Sequence, residues 1–231
     1  MKHYQHIFFD LDHTLWDFER NSSVVLNYLM DEHHIEIKCN TNRESFLSKY
    51  SEVNVGLWKE YREGKISKEQ LRSSRFFRTM KHFGYENKEL GMILETEYIA
   101  RSPYQTNLIA NANEVLDYLS RKYKLHIITN GFREGQFIKL DKSGISSYFD
   151  QVVISEVVGF NKPDPRIFES ALSLSGAFSH ESIMIGDDLH ADVLGALNSG
   201  LDAVYFNPKK QSHEIALEYE ISDLNELLNI L

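Results

Sequence analysis

The sequence predicts an α/β fold: a doubly wound parallel sheet interrupted by an inserted all-helical domain. Two observations predict the sheet. Five short apolar runs are unbroken rather than alternating, the pattern of strands covered on both faces. Helix-length stretches separate the last four, so strand and helix alternate as parallel pairing requires. A third observation predicts the insert: from residue 17 to 102 apolar residues recur at helical spacing, and no convincing strand breaks the pattern.

The first run is Ile7-Phe8-Phe9. In the insert that follows, Val24, Val25, Leu26, Leu29 and Met30 mark one amphipathic helix. Phe46, Leu47 and Tyr50, then Leu57, Trp58 and Tyr61, then Leu71, Phe76, Phe77 and Met80 continue the pattern. Strand character returns at Leu125-His126-Ile127-Ile128, Val152-Val153-Ile154, Ile183-Met184-Ile185 and Ala203-Val204-Tyr205-Phe206. Helices are expected between them at 133–143, 164–175 and 189–199. Asp164-Pro165 is an N-cap with a first-turn proline, and Gly144, Gly176 and Gly200 sit where helix ends need a left-handed residue. The expected domains are therefore a discontinuous core, 1–16 with 103–231, and a helical insert, 17–102.

A length of 231 residues suits one domain carrying a large insertion. With 42% hydrophobic and 26% charged residues, and only 12 Gly and 4 Pro, the chain is neither disordered nor collagen-like. Its net charge of −9 supplies no basic field, which argues against a nucleic-acid polymer as partner. Cys39 is the single cysteine, so neither an internal disulfide nor a cysteine zinc cluster can form, and a reducing compartment fits. Residues 1–6 lack the start of a secretory signal, and no apolar run nears the roughly 18 residues of a membrane span. A cytoplasmic protein without a membrane partner is the expectation.

Open parallel sheets bind ligands beyond the carboxyl ends of their strands. The first strand leads into Asp10-Leu11-Asp12-His13-Thr14. Alone, an Asp-x-Asp pair is more often a turn or cap than a catalytic site. The second strand ends Ile128-Thr129-Asn130-Gly131, by itself an ordinary turn. Lys162 would by itself be an exposed lysine. Gly186-Asp187-Asp188 follows the fourth strand, with Asp192 beyond; acids there favour a helix dipole, the preferred reading for Asp188. All of these fall after successive strands of one sheet, and accident does not explain that. Clustered carboxylates need a cation, and an oxygen-only set with no histidine or cysteine cluster favours Mg²⁺ over zinc. Thr129, backbone N–H groups near Asn130-Gly131 and the Lys162 ammonium are what a phosphoryl group requires.

These four segments resemble the motifs of the haloacid dehalogenase-like hydrolase superfamily: Asp10 to Thr14 the first, Thr129 the second, Lys162 the third, and Gly186-Asp187-Asp188 with Asp192 the fourth. The insert is similar to that family's type-one helical cap, and the core to its Rossmann-like sheet. Many members carry Gly where His13 stands. The resemblance implies that Asp10 attacks phosphorus and forms an aspartyl phosphate, while Asp12 protonates the leaving oxygen and later deprotonates water. It implies Mg²⁺ on the Asp10 carboxylate, the Asp12 carbonyl and Asp187, with Asp188 or Asp192 acting through water or by orienting Lys162. Thr129, Asn130 and Lys162 would bind phosphoryl oxygens. Dehalogenases of the superfamily lack the second acid, so Asp12 argues against that activity.

The segment 54–66, with Arg75-Phe76 after it, is similar to the cap of bacterial family members that hydrolyse pyrimidine and non-canonical nucleoside 5′-monophosphates. A small phosphorylated metabolite, a nucleoside monophosphate, is thus the expected substrate. Trp16, Phe18, Trp58 and Tyr61 are candidate rings for stacking a base, though any single aromatic is more often core. A sugar-phosphate phosphatase or phosphoglucomutase-like enzyme would share every core motif. Phosphonatase chemistry needs a cap lysine, for which Lys49, Lys59, Lys65 and Lys68 are candidates. A non-catalytic, phosphate-responsive module is disfavoured, because receiver domains are much shorter and carry no acid two positions after the phosphorylated aspartate.

Overall fold

The unbroken apolar runs become strands buried on both faces. The computed structural model describes residues 3–231; the first two positions of the expected core segment lie outside them. The strands are β1 (His6–Phe9), β2 (Lys124–Thr129), β3 (Phe149–Ile154), β4 (Ser182–Gly186), β5 (Asp202–Phe206) and β6 (Tyr219–Ile221). They form one sheet in the order β3-β2-β1-β4-β5-β6, with every pairing parallel. The order reverses beside β1, which leaves a crevice at the carboxyl edge between β1 and its neighbours.

Alternate residues along each strand feed two cores. Ile7, Phe9, Ile183, Ile185 and Val204 pack with Val115, Leu116 and Leu119 on one face. Phe8, Ile128, Met184 and Ala203 pack with Ile167, Phe168 and Ala171 on the other. Two apolar faces explain why the runs do not alternate with polar residues.

The chain divides into two compact units: the sheet unit, comprising the chain up to Phe18 with Gln105–Leu231, and a helical unit, Glu19–Tyr104. The helices running through the second are α1 (Phe18–Glu32), α2 (Ile35–Lys38), α3 (Arg43–Arg62), α4 (Lys68–His82) and α5 (Lys88–Arg101). Side-chain caps start three of them: Asn42 accepts from Ser45 N at 2.8 Å, Ser67 and Gln70 form a capping box, and Asn87 accepts from Leu90 N at 2.9 Å. Val25, Leu29, Phe46, Tyr50, Phe76, Met80 and Leu94 supply a core of their own. Within it a buried Arg75 pairs with Glu95 and lies 5.1 Å from the Tyr98 ring centroid.

The sheet unit adds α6 (Ala112–Ser120), α7 (Arg133–Lys142), α8 (Ser155–Val158), α9 (Pro165–Ser175) and α10 (Gly195–Asn198). Helix α9 begins on Asp164, whose carboxylate accepts from Arg166 N at 3.0 Å, and ends at Gly176 with φ 65°. The single helix expected over 189–199 is instead a π-helical turn, Leu189–Leu194, followed by α10. Its wide start shows in Asp188 O, which accepts from both Asp192 N (2.9 Å) and Val193 N (3.3 Å). Among the described residues no helix is long and apolar enough to cross a membrane.

Candidate active site

Phe9, the last residue of β1, is in register with Ile127 and Ile185, so β1, β2 and β4 end within two residues of one another. Asp10 N extends the ladder by one bond, to Ile185 O at 2.9 Å, which fixes the residue as it leaves the strand. The loop then closes on itself: Leu15 N and Trp16 N bond to Leu11 O, and His13 N to Trp16 O. His13 has φ 72°, in the left-handed region that Gly occupies without steric cost and His tolerates better than most residues.

Asp10, Asp187 and Asp192 bring one carboxylate oxygen each within 4.8 Å of one another. Buried Lys162 sits among them, donating to Asp10 Oδ1 (2.7 Å) and Ile128 O (2.7 Å) and pairing by charge with Asp192 Oδ1 at 2.6 Å. The Thr14 hydroxyl lies 3.3 Å from both Asp10 Oδ2 and Asp187 Oδ1, so one proton serves two carboxylates. A Cβ at Gly186 would fall 2.3 Å from Asp192 Oδ2, so the bare glycine is what lets Asp192 close on the lysine.

One lysine does not balance three crowded acids, two of them buried and Asp187 half-buried. Burial, followed by the charges of Asp10 and Asp192, pushes Asp187 up to about 9. Burial raises Asp192 to about 7 despite Lys162, and raises Asp10 as well. Lys162 moves above the usual lysine range, since Asp10 and Asp192 together outweigh its burial. A converging set of hard oxygens held at this electrostatic cost is the donor set that a small divalent cation fits.

Asp12 lies in a different setting. Lys139 Nζ reaches its Oδ1 at 2.5 Å and Gln136 Nε2 its Oδ2 at 2.9 Å. Burial alone would raise this acid, but Lys139 and then Gln136 outweigh it and hold the carboxyl below its ordinary value. The other hydrogen of Gln136 Nε2 goes to Thr129 Oγ1 at 2.7 Å, and Gly131 N donates to the same oxygen at 3.0 Å. With both lone pairs accepting, the Thr129 hydroxyl keeps its proton to donate.

Asp10, Lys162, Asp187 and Asp192 therefore meet directly, while Asp12 and Thr129 are joined through Gln136. The Asn130 side chain braces the Lys162 backbone, donating to its carbonyl (3.0 Å) and accepting from its N–H (2.8 Å). Asp188 caps the π-helical turn, its Oδ1 accepting from His190 N and Ala191 N at 2.9 Å each. Trp16 is fully buried, with its indole N–H on Gln105 O at 3.0 Å, and has no free face for a base. Phe18, Trp58 and Tyr61 keep partial exposure, the last two rings meeting edge to face. Sequence reasoning passed over Gln136 and Lys139. Only packing reveals them: α7 buries these two polar residues and leaves Phe137 exposed.

A carboxylate pair at a parallel-sheet edge, backed by a lysine and an acidic cluster, makes this edge the candidate active site. The family model for haloacid dehalogenase-like hydrolases matches residues 7–206, and the chain belongs to that family. Its relatives place it among the family's phosphoric monoester hydrolases. Pyrimidine 5′-nucleotidase PynA of Streptococcus pneumoniae is 35% identical, covering 99% of this chain and 95% of PynA. Pyrimidine 5′-nucleotidase YjjG of Escherichia coli is 33% identical over 97% and 96% of the two chains. The solved structure of the HAD-hydrolase YfnB from Bacillus subtilis, bound to magnesium, superimposes with a TM-score of 0.89 at 30% identity and 99% coverage of both chains.

Proposed function

We propose that this hydrolase is a magnesium-dependent nucleoside 5′-monophosphatase that passes the phosphoryl group through Asp10 to water. The observation that carries the reading is the convergence of Asp10, Lys162, Asp187 and Asp192 at one strand edge, with Asp12 held two residues from the nucleophile. Asp10, the Asp12 backbone carbonyl and Asp187 would hold Mg²⁺, which when bound draws charge from the phosphoryl oxygens, while Asp188 or Asp192 assists through water or by orienting Lys162.

In the first half-reaction an Asp10 oxygen attacks phosphorus, the ester P–O bond breaks, and Asp12, still carrying the proton it took from water in the preceding turnover, gives it to the leaving alkoxide. In the second, Asp12 takes a proton from water, the water oxygen attacks phosphorus, and the Asp10–phosphorus bond breaks to release inorganic phosphate. Thr129 donates its remaining proton to a phosphoryl oxygen, and Lys162 balances the charge around Asp10. Asn130 contributes by holding the Lys162 backbone in place.

The nucleotide part of the reading is supported by the two full-length relatives named as pyrimidine 5′-nucleotidases and by the partly exposed rings of Phe18, Trp58 and Tyr61. The helical unit is assigned the choice of leaving group, because the sheet edge recognises only the phosphoryl end. A panel of nucleoside monophosphates, sugar phosphates and p-nitrophenyl phosphate, each with Mg²⁺, tests it. Pyrimidine nucleoside monophosphates should give the highest kcat/KM, and Asp10→Asn should abolish turnover of every member. A sugar phosphate ranked first would replace the nucleotide reading; an active Asp10→Asn enzyme would overturn the mechanism.

A further inference from the structure

We infer that Lys139 and Gln136, one helical turn apart on α7, are positioning residues that fix the Asp12 carboxylate for its acid–base work. The inference rests on the proposed reading of Asp12 and deepens it. Residues three apart on a helix share a face, and here that face is turned inward: Gln136 is 1% exposed and Lys139 9%. Between them they engage both Asp12 oxygens, Lys139 at Oδ1 and Gln136 at Oδ2.

The orientation of Gln136 follows from its partners. Its two amide hydrogens go to Asp12 Oδ2 and Thr129 Oγ1; a flipped amide would set an oxygen against a carboxylate. The amide oxygen is left buried without a hydrogen-bond partner, a cost that a side chain serving only its own packing would shed by turning outward. Gly131 makes the reach possible, since a Cβ there would lie 1.7 Å from Gln136 Nε2. Lys139 is fixed from its other side by the Trp16 ring, 4.4 Å from the ammonium, and Trp16 is itself tied to Gln105 O. The clamp thus links the first-motif loop, the end of β2 and α7, and it sets where the Asp12 oxygens stand when a leaving oxygen or a water needs them.

The chemistry separates positioning from mere structural support. p-Nitrophenolate leaves without a proton, whereas the alkoxide of a nucleoside or sugar phosphate needs one. Because kcat/KM covers only the steps through the first ester cleavage, a smaller folded fraction lowers it equally for both substrates. The experiment therefore measures the ratio of kcat/KM for p-nitrophenyl phosphate to that for the nucleoside or sugar phosphate turned over fastest. The ratio should rise about tenfold in Lys139→Met and at least about threefold in Gln136→Ala, and at least as much in Asp12→Asn as in Lys139→Met. Lys139→Arg, which keeps the charge beside Asp12 and over Trp16, should return to within about threefold of wild type. If Lys139→Met yields no folded protein by circular dichroism, Gln136→Ala and Lys139→Arg carry the same comparison. Unchanged ratios at both clamp residues beside a raised one in Asp12→Asn overturn the positioning role and leave the proposed function standing. An unchanged ratio in Asp12→Asn overturns the acid role, and the clamp's purpose with it.

Discussion

Lys162 is held by hydrogen bonds to Asp10 and the Ile128 carbonyl and by an ion pair with Asp192, and it is only 2% exposed. Removing one partner of a buried ion pair leaves the other charge uncompensated, so Lys162→Met should cost about 3–5 kcal/mol of stability. In an Asp10→Asn background the same substitution should cost less, because one of the stranded carboxylates is already gone. Urea unfolding of the two single variants and the double variant checks this; additive losses would mean that lysine and nucleophile are energetically independent. Residues such as Asp10, Thr129, Lys162 and Asp187 were legible because each follows a readable strand. Gln136 and Lys139 were not, because polar residues on a predicted helix are assumed to face water, and only the packing of α7 shows the assumption reversed.

Neighbouring strands β1 and β2 carry a second buried polar pair. His6 Nδ1 lies 3.0 Å from His126 Nε2 with the rings stacked at 5.2 Å, and Phe8 covers His126 at 4.8 Å. Burial first, then the positive neighbours His6 and Lys124, lowers His126 to about 4, with Asp150 opposing; His6 is lowered too. An unfolded histidine takes up its proton near pH 6.5, so between pH 6.5 and 4 the unfolded chain binds more protons than the folded one. Stability is therefore fully present above pH 6.5 and is lost as pH falls, by about 1–2 kcal/mol from His126 between pH 7 and 5. His126→Gln, which does not titrate, should flatten the urea-unfolding midpoint over that range; an equally steep decline would place its cause elsewhere. At this scale the unbroken runs foretold five strands and both buried faces. β6 escaped because three residues, Tyr219–Ile221, on the sheet edge carry too little pattern, and α6, ahead of β2, is not among the helices that the sequence predicts. The π-helical turn escaped for another reason: it sits where Asp192 turns inward to Lys162 and where a Cβ at Gly195 would press within 3.0 Å of Phe168 and Pro163, both tertiary facts.

The whole molecule carries a net charge of −9, three of its acids converge at one strand edge, and the sheet unit and helical unit have separate cores. A net negative chain offers an anionic phosphate ester no long-range attraction, so capture depends on local positive charge. On the proposed reading the same cluster makes the sheet unit sensitive to a divalent cation. A ligand that binds only the folded state adds about 2.7 kcal/mol at one hundred times its Kd, which for a unit of this size raises Tm by about 5–10 °C. Mg²⁺ should therefore raise the transition that unfolds the sheet unit, and EDTA should reverse the shift. Asp187→Asn separates the cluster from any nonspecific salt effect. It replaces the acid that burial and its neighbours Asp10 and Asp192 hold at about 9 with a neutral amide of the same shape. Without added metal the variant should melt above wild type, since the crowding of negative charge is relieved, and it should lose the Mg²⁺-dependent shift. Scanning calorimetry of both proteins, with and without Mg²⁺, reads both effects at once. An equal Mg²⁺ shift in the two would show that the ion binds away from Asp187, and a lower metal-free Tm in the variant would show that this carboxylate stabilises the edge through its hydrogen bond with Thr14 more than its charge disturbs it.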